Sequence, residues 1–309
     1  MVILVIGTLV VSLLAGMVVL HDDRVKIAFS EKCNYEALII ADELGMLEEA
    51  GFRPLIVTGG IQAAEALVTG SADMAVMGDG PAVQVITKDN GAMIVARFCG
   101  AEGMHRFIAN TSIQEPKDLE GKKVGLQQSS STHGAFLRWA EAEGVNISKV
   151  NIVNMNPMDI PSAMGGGELD AMAGSEPWAI KTEKLCGNDV YEIGNSSGQD
   201  STFPIVLLAS QRIIQNNPDA VREMVKILER SNQYINENWN DAMAICASRT
   251  GLSDDEQNRC SSLQFFEVGF NETDEKSIRV AAEMLLEFNM ILAVPDVMSR
   301  VDLSFLPER

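Results

Sequence analysis

Between a candidate strand and an amphipathic helix the chain runs Gln127-Gln128-Ser129-Ser130-Ser131-Thr132-His133-Gly134. Hydroxyls and the free backbone N–H groups of a helix's first turn hold an anion without a lysine, because the N–H dipoles there are uncompensated. One residue, Ser131 or Thr132, suffices to cap such a helix. Four consecutive hydroxyl residues exceed that need, so Ser129, Ser130, Ser131, Thr132 and His133 read as the anion-binding end of a ligand pocket. Asp79, followed by Gly80, and Glu176 stand beside Pro81 and Pro177, at matching places in two halves of the chain. Carboxylates there would hold the cationic end of a ligand, such as an amine, or complement the dipoles of their own helices. The sequence leaves both readings open. Tyr35 and Trp178 would enclose or stack on the ligand, or else pack in the core.

Motifs for chemistry on a ligand do not appear. The sequence holds no GxxxxGK loop, no HExxH and no GxSxG elbow. Its three histidines, His21, His105 and His133, have no second metal-ligand type at useful spacing. A Ser131/His133 pair lacks a third group to orient it. No catalytic residue, metal or cofactor is therefore expected.

The elements that must position these residues follow from length and periodicity. At 309 residues the chain exceeds the size that one core usually serves, so two compact units are expected. Apolar residues make up 46% and charged ones 22%, a globular balance. The net charge of −19 comes without any Lys/Arg cluster, which argues against nucleic acid. Val25–Phe29, Pro54–Val57 and Met74–Met77 read as strands, with helices over Asn34–Ala50 and Gln62–Val68 between them. This βαβαβ order implies a parallel sheet covered by helices.

About 97 residues later the pattern returns. Lys123–Gln127 aligns with Lys26–Ser30, and Thr132–Glu143 with the first helix. Ala66-Leu67-Val68-Thr69-Gly70-Ser71-Ala72-Asp73 aligns with Ala163-Met164-Gly165-Gly166-Gly167-Glu168-Leu169-Asp170. After a one-residue slip Gly78 meets Gly174 and Pro81 meets Pro177. Two pseudo-symmetric α/β lobes are thus expected, with the ligand cleft at the carboxyl ends of their strands. The loops Ser30–Tyr35, Gly78–Pro81, Gln127–His133 and Gly174–Trp178 converge there. Residues 23–100 with 203–309 form the first lobe and 104–198 the second. The chain crosses near Phe98–His105 and returns near Asn195–Phe203. A strand at Pro204–Ala209 precedes helices at about Asp219–Asn236, Trp239–Ser248, Asp254–Phe266 and Glu275–Met290, which should pack on the first lobe.

Met1–Leu20 carries no charge and is long enough to cross a bilayer, so residues 1–22 read as an uncleaved anchor rather than a cleaved signal peptide. Leu14-Ala15-Gly16-Met17 has the shape of a lipobox, but Met17 stands where the lipidated cysteine must be. Five scattered cysteines make neither a disulfide framework nor a zinc site. A Cys246–Cys260 bridge and independent thiols stay open. Sequons begin at Asn110, Asn146, Asn195 and Asn271.

From Lys26 to about Trp178 the sequence resembles the nitrate/sulfonate/taurine group of ABC-transporter solute-binding proteins. The resemblance rests on Leu44-Gly45-Met46-Leu47-Glu48-Glu49-Ala50-Gly51 and Ala66-Leu67-Val68-Thr69-Gly70-Ser71-Ala72-Asp73. It continues through Pro116-Lys117-Asp118-Leu119-Glu120-Gly121-Lys122-Lys123-Val124-Gly125, Gly167-Glu168-Leu169-Asp170-Ala171 and Glu176-Pro177-Trp178. It implies a two-lobed periplasmic-binding-protein fold of type II-like topology, with two parallel-type sheets. It also implies an extracytoplasmic, monomeric carrier that delivers a small polar anion (sulfonate, taurine or nitrate class) to an ABC permease and its ATPase. The loops matching Ser129–His133 and Gly174–Trp178 would line the pocket. The first loop, Ser30-Glu31-Lys32-Cys33-Asn34-Tyr35, lacks the proline common in the family, so the resemblance does not carry the substrate over. The alternative is a binding protein for a thiamine pyrimidine precursor or another heterocycle, or a related biosynthetic enzyme. The Cys-Cys-Cys-Phe-Cys run of the enzymatic relatives does not occur here.

Overall fold

The backbone N–H of Lys26 donates to the Asp73 carboxylate at 2.9 Å, and that of Lys123 donates to Asp170 at 2.8 Å. Each aspartate thus ties the end of its helix-to-strand turn to the start of the neighbouring strand, once in each repeat. The same shift appears in the strand register, where Ile27 pairs with Met74 and Val124 with Ala171. The duplication read from the sequence is therefore a duplication of geometry.

The structure is a computed structural model that describes residues 24–88, 91–199 and 201–307. The first repeat runs β1 (Val25–Phe29), α1 (Glu36–Glu43), α2 (Met46–Glu49), β2 (Phe52–Ile56), α3 (Gly60–Val68), β3 (Met74–Gly78), α4 (Asp79–Ile86) and β4 (Met93–Gly100). The second runs β5 (His105–Asn110), β6 (Lys123–Leu126), α5 (Ser131–Ala142), β7 (Asn151–Asn154), α6 (Ile160–Gly165), β8 (Ala171–Ser175), α7 (Trp178–Cys186) and β9 (Val190–Asn195). There follow β10 (Ile205–Ala209), α8 (Gln211–Asn216), α9 (Pro218–Glu237), α10 (Trp239–Thr250), α11 (Asp254–Ser261), β11 (Phe265–Gly269) and α12 (Glu272–Glu287).

The strands form a six-stranded sheet, β11-β4-β10-β3-β1-β2, and a five-stranded sheet, β7-β6-β8-β5-β9. Both are mixed, which corrects the expectation of parallel-type sheets. β10 enters antiparallel between β3 and β4, and β5 enters antiparallel between β8 and β9. A strand arriving from the other sheet needs no helical crossover, so antiparallel pairing is open to it. Two segments connect the sheets, β4 to β5 and β9 to β10.

Other boundaries moved for local reasons. The long first helix breaks at Gly45, whose φ of 73° is left-handed, into α1 and α2. The helix expected over Asp254–Phe266 stops at Ser261, and Phe265–Gly269 instead pairs antiparallel with β4 and forms the edge of the sheet. In the tail α9 packs on α1 and β11, α10 on α1, and α12 on α4.

Cys260 is bonded to Cys33, beside Ile180 and Leu252. Cys246 is a free thiol buried in the main apolar core with α1 and α9, out of reach of Cys260. The Cys246–Cys260 option therefore falls. Among the described residues no helix is long and apolar enough to cross a membrane. The anchor expected at residues 1–22 lies outside the described residues.

Candidate functional site

The carboxyl ends of β1, β2, β3, β6, β7 and β8 face one another across a cavity of about 60 Å3. Lys32, Asn34 and Tyr35 reach it from the loop after β1, Gln127, Ser130, Ser131 and Thr132 from the loop and helix start after β6, and Trp178 from the start of α7. Met104, His105 and Phe203 come from the two crossings between the sheets. This is where open α/β sheets bind ligands.

Charge is distributed one-sidedly around this space. Lys32 is the one formally charged residue on the wall, and no carboxylate lines it among the described residues. Lys32 is partly buried, and desolvation pulls its ammonium down to about 8. Its Nζ lies 5.5 Å from the Tyr35 ring centroid. The first turn of α5 carries no acidic residue, and the backbone N–H groups of Ser131 and Thr132 have no partner among the described residues. A lysine from the loops of one sheet and an open helix N-terminus from those of the other give the cavity the chemistry to hold a small anion.

The hydroxyls expected to bind that anion are mostly committed elsewhere. Ser130 is the N-cap of α5: its oxygen accepts from the His133 backbone N–H at 3.2 Å, and its O–H donates to the Gln127 carbonyl at 2.7 Å. Ser131 Oγ accepts from the Gly80 backbone N–H at 3.2 Å and donates to the Asp79 carboxylate, across the gap between the sheets. Thr132 Oγ1 pairs with His105 Nδ1 at 2.9 Å. Of the ten residues singled out in the sequence, Tyr35, Ser130, Ser131, Thr132 and Trp178 line the cavity.

Asp79, Gly80, Ser129, His133 and Glu176 do not line it. Asp79 is buried at the start of α4, where its carboxylate accepts from the Gly80 N–H at 2.7 Å. Burial pushes its carboxyl up, against the pull of the Ser131 hydroxyl and of Arg138. Gly80 instead permits contact between the two halves: a Cβ there would stand 3.0 Å from the Ser131 backbone nitrogen. Ser129, with φ 64°, gives its carbonyl to Gln84 Nε2 at 2.7 Å and its N–H to His133 Nδ1 at 3.2 Å. Glu176 accepts from Arg106 Nη1 at 2.8 Å and from the Ile180 N–H at 2.9 Å. Arg106 also binds Glu183 and Glu192. Each acid is held in an internal network away from the cavity lining.

Sequence reasoning missed Lys32 and His105 as single residues, although the loop holding Lys32 was placed at the cleft. The signal for Lys32 was its being the lone cation of that loop. His105 gave no local signal, since its role depends on Thr132 and on the second crossing.

Comparison with known proteins agrees with this geometry. A family model described as NMT1/THI5 like matches residues 32–242. A protein of Brucella abortus (strain 2308) named as a binding protein is 28% identical over 213 residues, 67% of this chain and 65% of that protein. The chain thus spans somewhat less than two thirds of that relative's length. An Escherichia coli (strain K12) protein named for binding aliphatic sulfonates is 25% identical over 199 residues, 62% of this chain and 60% of that protein. Among solved structures, the alkanesulfonate-binding protein from Xanthomonas axonopodis pv. citri bound to MOPS matches with a TM-score of 0.81 at 19% identity. The match covers 90% of this chain and 98% of that one. The two mixed sheets are those of the two-lobed periplasmic-binding-protein fold.

Proposed function

The chain belongs to the NMT1/THI5-like family, and from that premise we propose that it is the extracytoplasmic solute-binding component of an ABC importer. In this reading it takes a small anion of the sulfonate class between two lobes, residues 23–100 with 203–309 and residues 104–198, and hands it to a permease with its ATPase. It acts as a monomer and leaves its ligand unchanged. The observation that carries the anion is the cavity wall, which sets Lys32 and the open start of α5 around a space lined by no carboxylate among the described residues. The sulfonate class is supported by the relatives named for aliphatic sulfonates and alkanesulfonate.

The same wall sets an order of preference. Taurine brings an ammonium group for which the cavity offers no acid, so ethanesulfonate should bind at least as tightly as taurine. Thermal-shift and calorimetric titrations with ethanesulfonate, taurine, nitrate and bicarbonate test this, since a ligand at a hundred times its Kd adds about 2.7 kcal/mol of stability. Binding of none of these anions, or a clear preference for a cationic amine, would sink the reading. Small-angle scattering with and without ethanesulfonate should show compaction as the lobes close about the two crossings.

A further inference from the structure

His105 has one ring nitrogen partnered and the other without a partner among the described residues. The residue is 2% exposed and lines the cavity. Phe203 packs edge-on against it, with ring centroids 4.6 Å apart. Nδ1 pairs with Thr132 Oγ1 at 2.9 Å. Nε2 is buried and has no hydrogen-bond partner among the described residues. A buried polar atom left without a partner costs free energy comparable to a lost hydrogen bond, so a donor or acceptor that reaches it gains that much. His105 lines the cavity, so a bound solute is a partner open to this nitrogen.

Two tautomers satisfy the Thr132 contact, and the contents of the cavity decide between them. If Nδ1–H donates to Thr132, Nε2 presents a bare lone pair beside the space that Lys32 and the α5 N-terminus prepare for negative charge. Lone pair and anion repel. If Thr132 O–H donates to Nδ1, the proton sits on Nε2 and the ring becomes a donor. Thr132 Oγ1 has no other hydrogen-bond partner among the described residues, so its proton is free to make that bond.

We propose that His105 is a ligand-binding residue, a neutral imidazole whose Nε2–H donates to the anionic group of the bound solute and whose tautomer Thr132 sets. The imidazole stays neutral because burial, with Lys32 and Arg138 nearby, holds its pKa down to about 3. A neutral donor adds a directional bond without a second charge, and like Lys32 it offers nothing to a hydroxyl proton. The anion it suits is therefore one that keeps all its oxygens deprotonated, as a sulfonate does. This rests on the anion reading above.

Calorimetry with ethanesulfonate separates the two claims. His105→Phe keeps the ring packing against Phe203 and removes the donor, and should weaken binding about ten- to a hundredfold. His105→Gln, which restores an N–H near the position of Nε2, should recover part of that loss. Thr132→Val should weaken binding several-fold through the tautomer alone. The 15N spectrum of histidine-labelled protein saturated with ethanesulfonate should show His105 protonated at Nε2 and bare at Nδ1, the resonance being assigned by its loss in His105→Gln. Wild-type binding with an unchanged affinity in a folded His105→Phe protein overturns the role of His105 and leaves the anion reading standing. A bare Nε2 in the saturated protein does the same. Wild-type protein that binds none of the four anions overturns both.

Discussion

The first helices of the two repeats begin at equivalent points and treat the positive end of the helix in opposite ways. α1 opens with Glu36, fully buried, whose carboxylate accepts from the Asn34 N–H at 2.8 Å, Ser261 Oγ at 2.8 Å, Gln264 Nε2 at 3.0 Å and Gln257 Nε2 at 3.2 Å. α5 opens with Ser131, Thr132 and His133, and the position equivalent to Glu36 holds a neutral imidazole. A helix N-terminus carries roughly half a positive charge. In the first repeat a carboxylate of the chain answers it, and the polar network around Glu36 draws the C-terminal helices onto the first sheet. In the second repeat the Ser130 hydroxyl takes up the His133 N–H, no carboxylate stands in the first turn, and the Ser131 and Thr132 N–H groups have no partner among the described residues. A repeated element is thus tied into an internal network at one start and, in the reading proposed above, meets the ligand at the other, the difference being a carboxylate against a neutral imidazole.

The largest effect expected from this asymmetry is at Lys32, the charge that joins the open helix end. Lys32→Met keeps much of the side chain's length and removes its charge. Truncating one member of a partly buried charge pair at an interface costs about 2–5 kcal/mol. The Kd for ethanesulfonate should therefore rise at least thirtyfold by calorimetry, with little change in thermal stability of the free protein. An unchanged Kd would mean that the anion sits elsewhere.

The mirror experiment addresses α1. Glu36→Ala strands at least three buried donors around Asn34, Gln257 and Ser261, and each unsatisfied group costs about 1–3 kcal/mol before relaxation. A loss on the order of 3 kcal/mol should appear in denaturant unfolding. If the two helix starts have separate roles, ethanesulfonate affinity in Glu36→Ala protein, measured below its unfolding transition, stays within about threefold of wild type. A much larger affinity loss would show that the α1 start also serves the ligand.

Acidity offers a gentler lever on the same contrast. Lys32 in the free protein loses its proton near pH 8, and an anion favours the charged form, so binding takes up protons above that point. Affinity for ethanesulfonate should be flat from pH 6 to 7 and fall as pH rises through about 8, approaching roughly tenfold per pH unit. His105 and His133, held down to about 3 and about 4 by burial, add nothing in this window. Lys32→Met should abolish the slope. An affinity that rises with pH would contradict the sign of the charge assigned to the site.

How far the sequence revealed this depended on the range of each interaction. The repeat was visible because Lys26, Asp73, Lys123 and Asp170 recur with fixed spacing, and the structure shows that spacing as two identical backbone-to-carboxylate bonds. The four loops at the cleft followed from the strand order alone. Individual roles did not follow, since they depend on partners distant in sequence. Glu176 looked free beside Pro177 but is held by Arg106, 70 positions earlier. Cys260 found Cys33 rather than its neighbour in sequence. β11 was hidden because Phe265 and Phe266 extend a helical pattern, and only the edge of β4 makes them a strand. Three members of the serine and threonine run, Ser130, Ser131 and Thr132, line the cavity, and their hydroxyls are hydrogen-bonded inside the protein.

That last point yields the smallest and most discriminating effect. Ser130 lines the cavity, yet its oxygen accepts from the His133 N–H and its proton goes to the Gln127 carbonyl. As an N-cap its replacement by alanine should cost about 1 kcal/mol of stability. As a ligand donor to a charged group its loss would cost about 1.5–3 kcal/mol of binding. The two roles therefore separate in two measurements on one protein. Ser130→Ala should lower the unfolding midpoint and leave the Kd for ethanesulfonate within about twofold of wild type, whereas Thr132→Val should do the reverse. Ser130→Asp sharpens the contrast further, because aspartate caps a helix as well as serine does but brings to α5 the carboxylate that α1 already has. Stability should be retained and anion binding lost. If Ser130→Asp still binds ethanesulfonate at wild-type affinity, the open start of α5 is not the anion's seat, and the contrast between the two helices is one of packing alone.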